Sequence, residues 1–267
     1  MNQPTTSRRW QRPPFITNPT LRWGLWVCVA IYLALALGTM EVDWTRVTEG
    51  ATRGKRFIMA FFPPDFVSRW DSIEEGIMES LWMTITSTVV GILLSIPVGL
   101  GAARNLSYRP VYLFCRGILA VSRTFPEIIL AIFFVKLFGF GPFAGFLALS
   151  VGTIGFYGKL LAEDIEDMDP VQAEAIKSVG SSWLQWLNYA VQPQVMPRMI
   201  GLGIYRLDIN FRESAVVGIV GGGGIGATLL TSFDRYEFDS AAAILLVIIG
   251  IVMVMEYSSG YIRRWVQ

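Results

Sequence analysis

The run AAAILLVIIGIVMVMEYSSGY, residues 241–261, contains a single charged side chain, Glu256, among apolar and small residues. An α-helix of roughly 20 apolar residues crosses the ~30 Å hydrocarbon core of a bilayer and satisfies its own backbone hydrogen bonds there. The run therefore predicts a membrane-spanning helix. The whole chain agrees, since 53% of its 267 residues are hydrophobic and 16% are charged, whereas about 25% are charged in ordinary soluble domains.

Apolar segments of comparable length recur along the chain, and no long polar interval separates them into independent cores. The predicted spans are Trp23–Met40, Ile77–Ala102, Gly117–Leu137, Phe143–Leu161, Ile200–Gly221 and Ala241–Tyr261. The second is interrupted near Pro97, and the fifth contains charged residues. We expect an all-α integral membrane protein with about six transmembrane helices, made of one domain at 23–261 between short segments at 1–22 and 262–267.

Several kinds of chemistry are excluded by what the sequence lacks. It has no histidine and no GxxxxGK[ST] phosphate loop, and its two cysteines, Cys28 and Cys115, are far apart. We expect no metal site, no catalytic residue and no cofactor in this chain; if ATP is used, another polypeptide must bind it. The formal net charge of +1 gives no electrostatic case for nucleic-acid binding.

The placement of arginine predicts the orientation, because Lys and Arg in short loops resist translocation. The arginines expected in the cytoplasm are Arg8, Arg9, Arg12, Arg22, Arg104, Arg109, Arg116, Arg263 and Arg264. Both termini are then cytoplasmic. The opposing cations lie in the longer first connection, where the rule weakens; they are Arg46, Arg53, Lys55, Arg56 and Arg69. We expect the first apolar run to remain as an anchor, although its basic flank also fits a cleaved signal peptide.

A polar interval at Glu163–Arg198 separates the fourth and fifth predicted spans on the expected cytoplasmic side. Its first part, Val171–Val179, is rich in helix formers. The preceding Asp169 can cap a helix, and Pro170 is tolerated at a first helical position. Gly180 should end or bend this helix.

The second part of the interval, Ser182–Val191, has apolar residues near helical spacing. It predicts a second amphipathic helix, interrupted by Pro193 and Pro197. Two short helices joined by a glycine bend would present a surface to which a partner protein can bind. An ordinary amphipathic connection is the alternative reading of the interval taken alone.

The spacing within this interval resembles the EAA loop of ABC importer permeases, E-A-A-x3-G-x9-I-x-L-P. The matching residues are Glu174, Ala175, Gly180 and Pro193. The departures from the pattern are Ile176, Ala190 and Gln192. In that family the loop forms a coupling helix that docks in a groove of the cytoplasmic ATPase, so the resemblance implies an ATPase-coupling role for the matching residues.

The sequence Arg123-Thr124-Phe125-Pro126-Glu127 places charges in the third predicted span. Charges at such depth are costly unless they face water, a partner or the bundle interior. Pro126 should bend the helix, which can then line a cavity. Arg123 and Glu127 either line a substrate pathway or neutralise each other as an i,i+4 pair.

The fifth predicted span carries two polar rows, which a helix surrounded by lipid could not carry. Arg206 and Asn210 are four residues apart, as are Asp208 and Arg212, and Tyr205 is adjacent. We expect this helix to lie along the central pathway or at a subunit interface. Arg212 is then available to an oxyanion with Asp208 holding it, or the two form only a structural pair.

The segment VGGGGIG at 220–226 is too rich in glycine for an ordinary helix interior. It is not a dinucleotide fingerprint, because no strand-helix-strand unit surrounds it. Glycine permits unusual dihedral angles and close approach, so we expect a backbone gate or a pathway helix end here. The predicted gate residues are Pro126, Gly221, Gly222, Gly223, Gly224 and Gly226.

Further motifs extend the resemblance over most of the chain. They are RTFPE at 123–127, GFGPFAG at 139–145, GKL at 158–160, PQVMP at 193–197, YRLDINFRES at 205–214 and GIVGGGGIG at 218–226. Together they look like the phosphonate-type branch of ABC importer permeases. The resemblance implies the type I importer fold and a homodimer in a bacterial inner membrane. It also implies two cytoplasmic ATPase subunits, which hold ATP and Mg, and an extracytoplasmic substrate-binding protein.

The sequence thus predicts a permease subunit, not an enzyme, that moves phosphonate or a related phosphorus oxyanion such as phosphite, hypophosphite or phosphate by alternating access. The predicted pathway residues are Arg123, Glu127, Tyr205, Arg206, Asp208, Asn210 and Arg212. One alternative keeps the machinery and carries methionine or another amino acid. Another is a secondary transporter driven by an ion gradient, although the inverted repeats typical of that class are not evident in the sequence.

Overall fold

The computed structural model describes residue 16, residues 18–40 and residues 43–266, and all regular structure within these ranges is helical. The chain divides into two compact units, Met1–Met59 and Ala60–Gln267. The first unit contains α1 (Pro19–Thr39) and nearly all of α2 (Trp44–Ala60). Most of the predicted amino-terminal segment at 1–22, with Arg8, Arg9 and Arg12, lies outside the described residues.

The second unit contains the remaining helices. In chain order they are α3 (Trp70–Ala102), α4 (Arg109–Thr124), α5 (Glu127–Phe138), α6 (Pro142–Glu166), α7 (Pro170–Ser178), α8 (Trp183–Trp186), α9 (Gln192–Val217), α10 (Ile225–Asp234) and α11 (Phe238–Val266). A π-helical turn joins α8 to α9, and another follows α9. Four described helices (α1, α3, α6 and α11) are long and apolar enough to span a membrane, and counting each bent helix pair as one span gives up to 6.

Helix α3 packs along α6 at the centre of the second unit. Its buried face is made of small residues at helical spacing: Gly76, Ser80, Thr84, Ser87, Thr88, Gly91, Ser95 and Gly99. Small residues allow helix backbones to approach closely in a membrane, where burial of apolar surface gives no preference for protein over lipid. Hydroxyls on this face bond to the preceding turn, as Ser87 does to the Thr84 carbonyl at 3.1 Å.

The third predicted span, Gly117–Leu137, is two helices that meet at 91°. Phe125 is extended, with φ −98° and ψ 122°, because a residue before proline avoids the helical region. Pro126 has no N–H to continue the ladder of α4 and instead caps α5. The bend predicted at Pro126 is confirmed, and the single span is corrected to a right-angled pair.

The fifth predicted span, Ile200–Gly221, begins earlier than expected, since α9 starts at Gln192. The predicted interruption at Pro193 and Pro197 is wrong. Pro193 falls in the first turn of α9, where its missing N–H costs little, and the π-helical turn Leu187–Val191 carries the chain continuously from α8 into α9.

Two apolar clusters mark the two ends of α3. At its start, Ile73 packs with Ile225 and Leu229 of α10. At its end, Ala102 belongs to a cluster that includes Ala173 of α7 and Trp186 of α8. Because α3 has 33 residues and is therefore about 50 Å long, α10 and α7 lie at opposite ends of this unit.

Candidate functional site

Helix α7 begins at a capped residue, as predicted. The Asp169 side chain accepts a hydrogen bond from the Val171 N–H at 2.9 Å. The Asp169 N–H donates to Oε1 of Gln194 at 2.9 Å. This second bond ties the start of α7 to the first turn of α9, which also contains Pro193.

The inner face of α7 is fixed by a buried tryptophan. Trp186 is 4% exposed, and its indole N–H donates to the Ala173 carbonyl at 3.0 Å. The Lys177 ammonium lies 4.4 Å from the centre of the indole ring, a distance that favours a cation–π contact. These contacts set the rotation of α7 against α8.

The opposite face of α7 and the adjacent face of α8 are open. Their exposed side chains form what we call the coupling surface: Val171, Glu174, Ala175, Val179, Trp183 and Leu184. Val179 is 79% exposed and Trp183 55%. Apolar side chains clustered on a surface in this way are typical of a partner interface. The predicted coupling residues Glu174 and Ala175 are therefore placed where a partner can reach them.

The turn between α7 and α8 depends on Gly180. Its φ of +80° lies in the left-handed region, and a Cβ built there would meet nothing within 4 Å. A larger residue would therefore be strained by its backbone conformation and not by crowding. On the other side of the turn, Ser182 and Gln185 form a reciprocal capping box, so both helix ends at the bend are determined locally.

Within the second unit, Arg206 is the centre of a buried polar network. It is 3% exposed. Its Nε donates to the Thr153 hydroxyl at 3.1 Å, and its Nη2 lies 3.2 Å from Oε1 of Glu127 and 3.4 Å from Oε2 of Glu213. The Arg206 side chain thereby links α9 to α5 and α6.

Asn210, one turn along α9, extends this network to α3. Its side chain is fully buried, and its Nδ2 donates to Oγ1 of Thr88 at 2.7 Å and to Oγ1 of Thr153 at 3.0 Å. Thr153 in turn donates to the Leu149 carbonyl at 2.7 Å. We call Arg206, Asn210, Thr153, Thr88, Glu127 and Glu213 the core network.

The remaining predicted pathway residues lie outside the core network. Arg212 pairs with Asp208 at i,i+4, as the spacing allowed. Arg212 is 45% exposed at its side chain and Asp208 5%, and Oδ1 of Asp208 has no hydrogen-bond partner among the described residues. Arg123 is exposed and forms no ion pair with any described residue, and the Tyr205 ring packs 6.3 Å from that of Phe156.

The alternative of an Arg123–Glu127 pair is not realised. The two residues lie on opposite sides of the 91° bend between α4 and α5, so they do not share a helix face. Glu127 pairs with Arg206 instead. The i,i+4 rule fails here because it requires one continuous helix.

Four of the predicted gate residues, Gly221, Gly222, Gly223 and Gly224, form a tight segment between α9 and α10, which we call the gate segment. Pro126 instead caps α5. Gly221, Gly223 and Gly224 have positive φ values of 100°, 78° and 73°. The Gly221 carbonyl accepts from the Gly141 N–H at 3.0 Å. The glycines are therefore needed for the backbone path, and Gly226 follows as the second residue of α10.

Sequence reasoning missed two residues that hold the gate segment. Oε2 of Glu79 accepts from the Gly224 N–H at 2.6 Å, and the Ser80 hydroxyl accepts from the Ile225 N–H at 2.9 Å. Both side chains accept from backbone N–H groups at the start of α10, which have no carbonyl acceptor within the helix. The signal was present in the sequence, because Glu79 is an acidic residue inside the second predicted span and such residues usually have a function.

A family model described as "Binding-protein-dependent transport system inner membrane component" matches residues 95–267. The phosphite transport system permease protein PtxC of Stutzerimonas stutzeri is 40% identical over 203 residues, which cover 76% of this chain and 74% of the relative. The phosphate-import permease protein PhnE of Mycolicibacterium smegmatis is 39% identical over 238 residues, 88% of this chain. This chain spans only 44% of the length of that relative.

The fold is similar to that of solved transporters. An inward-facing form of the MetNI methionine ABC transporter aligns with a TM-score of 0.64 at 23% identity, over 73% of this chain and 96% of the other. An amino acid ABC transporter crystallised with histidines aligns with a TM-score of 0.62 at 19% identity, over 75% of this chain and 98% of the other. At these identities the similarity concerns the fold alone.

Proposed function

The chain belongs to the family of binding-protein-dependent transport system inner membrane components, and from that membership we propose that it is the permease subunit of an ATP-driven importer for a phosphorus oxyanion. The coupling surface is the observation that carries the ATP-driven part of this proposal. The cargo part is supported by the relatives, which are named for phosphite and phosphate transport.

The coupling surface has the properties that a push from an ATPase requires. Glu174 and Ala175 face outward, while Ala173 and Trp186 hold the other side of the helix. Because Asp169 is bonded to Gln194 in the first turn of α9, α7 and α9 would move together. A short helix that is fixed to a long one transmits a rigid-body displacement instead of absorbing it.

Helix α9 would carry that displacement into the membrane. The core network bonds it to α3, α5 and α6 through Asn210 and Arg206, and the gate segment follows its carboxyl end. Alternating access then consists of movement of these bonded helices as a body, with ATP binding and hydrolysis on the partner subunits. The residues of this chain take no chemical step.

The partners in this proposal are a second copy of the chain, two cytoplasmic ATPase subunits that hold ATP and Mg, and an extracytoplasmic binding protein. The binding protein delivers the anion, and the permease needs only weak attraction, since a tight site would slow release. Arg212, which remains 45% exposed at its side chain while paired with Asp208, is the cation on α9 to which we assign this attraction.

Uptake into proteoliposomes tests this function. The vesicles contain this chain with its cognate ATPase and binding protein, and they receive labelled phosphite, an alkylphosphonate, phosphate or methionine. We expect ATP-dependent accumulation of a phosphorus oxyanion and none with a non-hydrolysable nucleotide. Accumulation of methionine alone would contradict the cargo, and accumulation that needs an ion gradient but no ATPase would contradict the mechanism.

A further inference from the structure

Helix α2 in the first unit has two faces of different chemistry. At 100° per residue, Val47, Ala51 and Ile58 share one face, and Arg46 and Arg53 lie on the opposite one. All five side chains are exposed, with Ile58 at 62%. A helix with an exposed apolar face and a charged face is most stable in an environment that is apolar on one side and polar on the other.

The polar side chains that flank the apolar face can be placed next to acyl chains without leaving a buried polar group unpaired. The Thr48 hydroxyl donates to the Thr45 carbonyl at 2.9 Å. This hydroxyl is thus satisfied within the helix, so the Thr48 methyl group can be buried without an unpaired donor. Lys55 also flanks this face, and a lysine can lay its stem on apolar surface while its ammonium reaches polar headgroups.

The charge of α2 is positive after its internal ion pairs are counted. Arg46 pairs with Asp43 at 3.3 Å, and Arg53 pairs with Glu49 at 2.8 Å. The other two cations of the helix, Lys55 and Arg56, have no acidic partner among the described residues. Their charge complements an anionic surface.

The chain itself places α2 beside the bilayer. Helix α1 has 21 residues, and its most apolar stretch of 18 residues has a mean hydropathy of 1.7. At ~31 Å the helix matches the thickness of the hydrocarbon core. Residues 40–43 connect it to α2, and even fully extended they separate the two helix ends by about 18 Å. The start of α2 therefore lies at or near the headgroup layer.

We propose that α2 lies in the headgroup layer with Val47, Ala51 and Ile58 toward the acyl chains, and that Lys55 binds an anionic phospholipid headgroup. Arg56, on the outward side of the helix, adds to the attraction toward the anionic surface. Helices with one apolar and one basic face and low overall hydropathy bind membranes in this way. The proposal does not depend on the cargo of the transporter or on the leaflet that α2 occupies.

Spin labels on the full chain test the position of α2. In a Cys28→Ser, Cys115→Ala background, one label replaces Ile58 (Ile58→Cys) and a matched label replaces the opposite face (Glu49→Cys). The protein is reconstituted in bilayers of phosphatidylcholine mixed with phosphatidylglycerol, and collisions with oxygen and with a water-soluble nickel complex are measured. We expect the label at 58 to lie roughly 5–10 Å below the headgroups, accessible to oxygen and protected from nickel. The label at 49 should be accessible to nickel.

A label at 58 that nickel reaches freely overturns the proposal. Protection of that label from both reagents also overturns it, because a protein surface and not lipid would then cover the face. If Ile58→Cys fails to insert, Val47→Cys reports on the same face. Lys55→Gln with Arg56→Gln should move the label at 58 toward water in the anionic bilayers and leave it unchanged in pure phosphatidylcholine; an equal effect in both contradicts headgroup binding.

Discussion

The coupling surface and the core network both contain residues singled out from the sequence. The polar side chains of the core network are buried or half-buried and bond helices together, whereas the side chains of the coupling surface are exposed. In the coupling surface, Glu174 is exposed and forms no ion pair with a described residue. In the core network, Arg206 and Asn210 are 3% and 0% exposed, and each bonds to groups on other helices. Charge in a membrane helix can therefore serve assembly, while the groups free to bind a partner lie at the unit's end.

The largest effect should follow from Arg206→Ala. It leaves Glu127 and Glu213 without their common cation, and breaking a buried pair by removing one partner costs about 3–5 kcal/mol. We expect little folded protein after membrane extraction, measured by thermal unfolding and size-exclusion chromatography. Arg123→Ala, which removes an exposed arginine, is the control and should keep its stability. Equal stability of both variants would contradict the structural role of the core network.

Gly180→Val should leave folding intact and abolish transport. The left-handed φ of +80° is strained for a β-branched residue, so the bend between α7 and α8 would change. We expect ATP-driven uptake to fall more than tenfold with unchanged thermal stability of the purified protein. Gly180→Asn, which tolerates this conformation better, should retain more uptake. Wild-type uptake by the valine variant would show that transport does not depend on the bend at Gly180.

A smaller effect is expected at Arg212. Arg212→Ala should reduce uptake of a phosphorus oxyanion severalfold while assembly is kept, since a pathway charge is lost. Arg212→Lys should recover part of it, because the charge survives without the planar fork. The double variant Asp208→Asn with Arg212→Gln separates the two roles. If the double variant recovers wild-type uptake, the Asp208–Arg212 pair is only structural. Arg212 would then serve assembly, as Arg206 does.

The smallest effect should come from Glu79→Gln. The amide oxygen can still accept from the Gly224 N–H, but the bond is no longer assisted by charge, so the loss of stability should be about 1 kcal/mol. Thermal unfolding of the purified protein measures it. Glu75→Gln, one turn away at an exposed position, is the control. An equal loss in both variants would mean that the bond to the gate segment contributes nothing.

Local signals in the sequence predicted where α7 begins and ends. Asp169 and Gly180 mark the ends of α7 because a cap and a left-handed glycine depend on neighbouring residues only. The all-α fold with about six spans, of the type I importer class, is likewise confirmed, since span length and apolar composition are read directly from the chain.

The core network was only partly predictable, because its bonds join residues far apart in the chain. Arg206 meets Glu127 only after α5 turns at 91° from α4, and Pro126 predicts a bend without its size. Glu79 meets Gly224 through the packing of α10 against α3. In contrast, the Asp208–Arg212 pair was anticipated because both residues lie on one helix.

The central claim, that an ATPase grips the coupling surface, is tested most directly by photo-crosslinking in the assembled complex. A photoreactive amino acid replaces Glu174 in one variant and Tyr236 in a control. Tyr236 is 80% exposed and follows α10, at the opposite end of α3. We predict that the probe at 174 crosslinks to the ATPase subunit and that the probe at 236 does not. The absence of an ATPase crosslink at 174, or equal crosslinking from both positions, would contradict the claim.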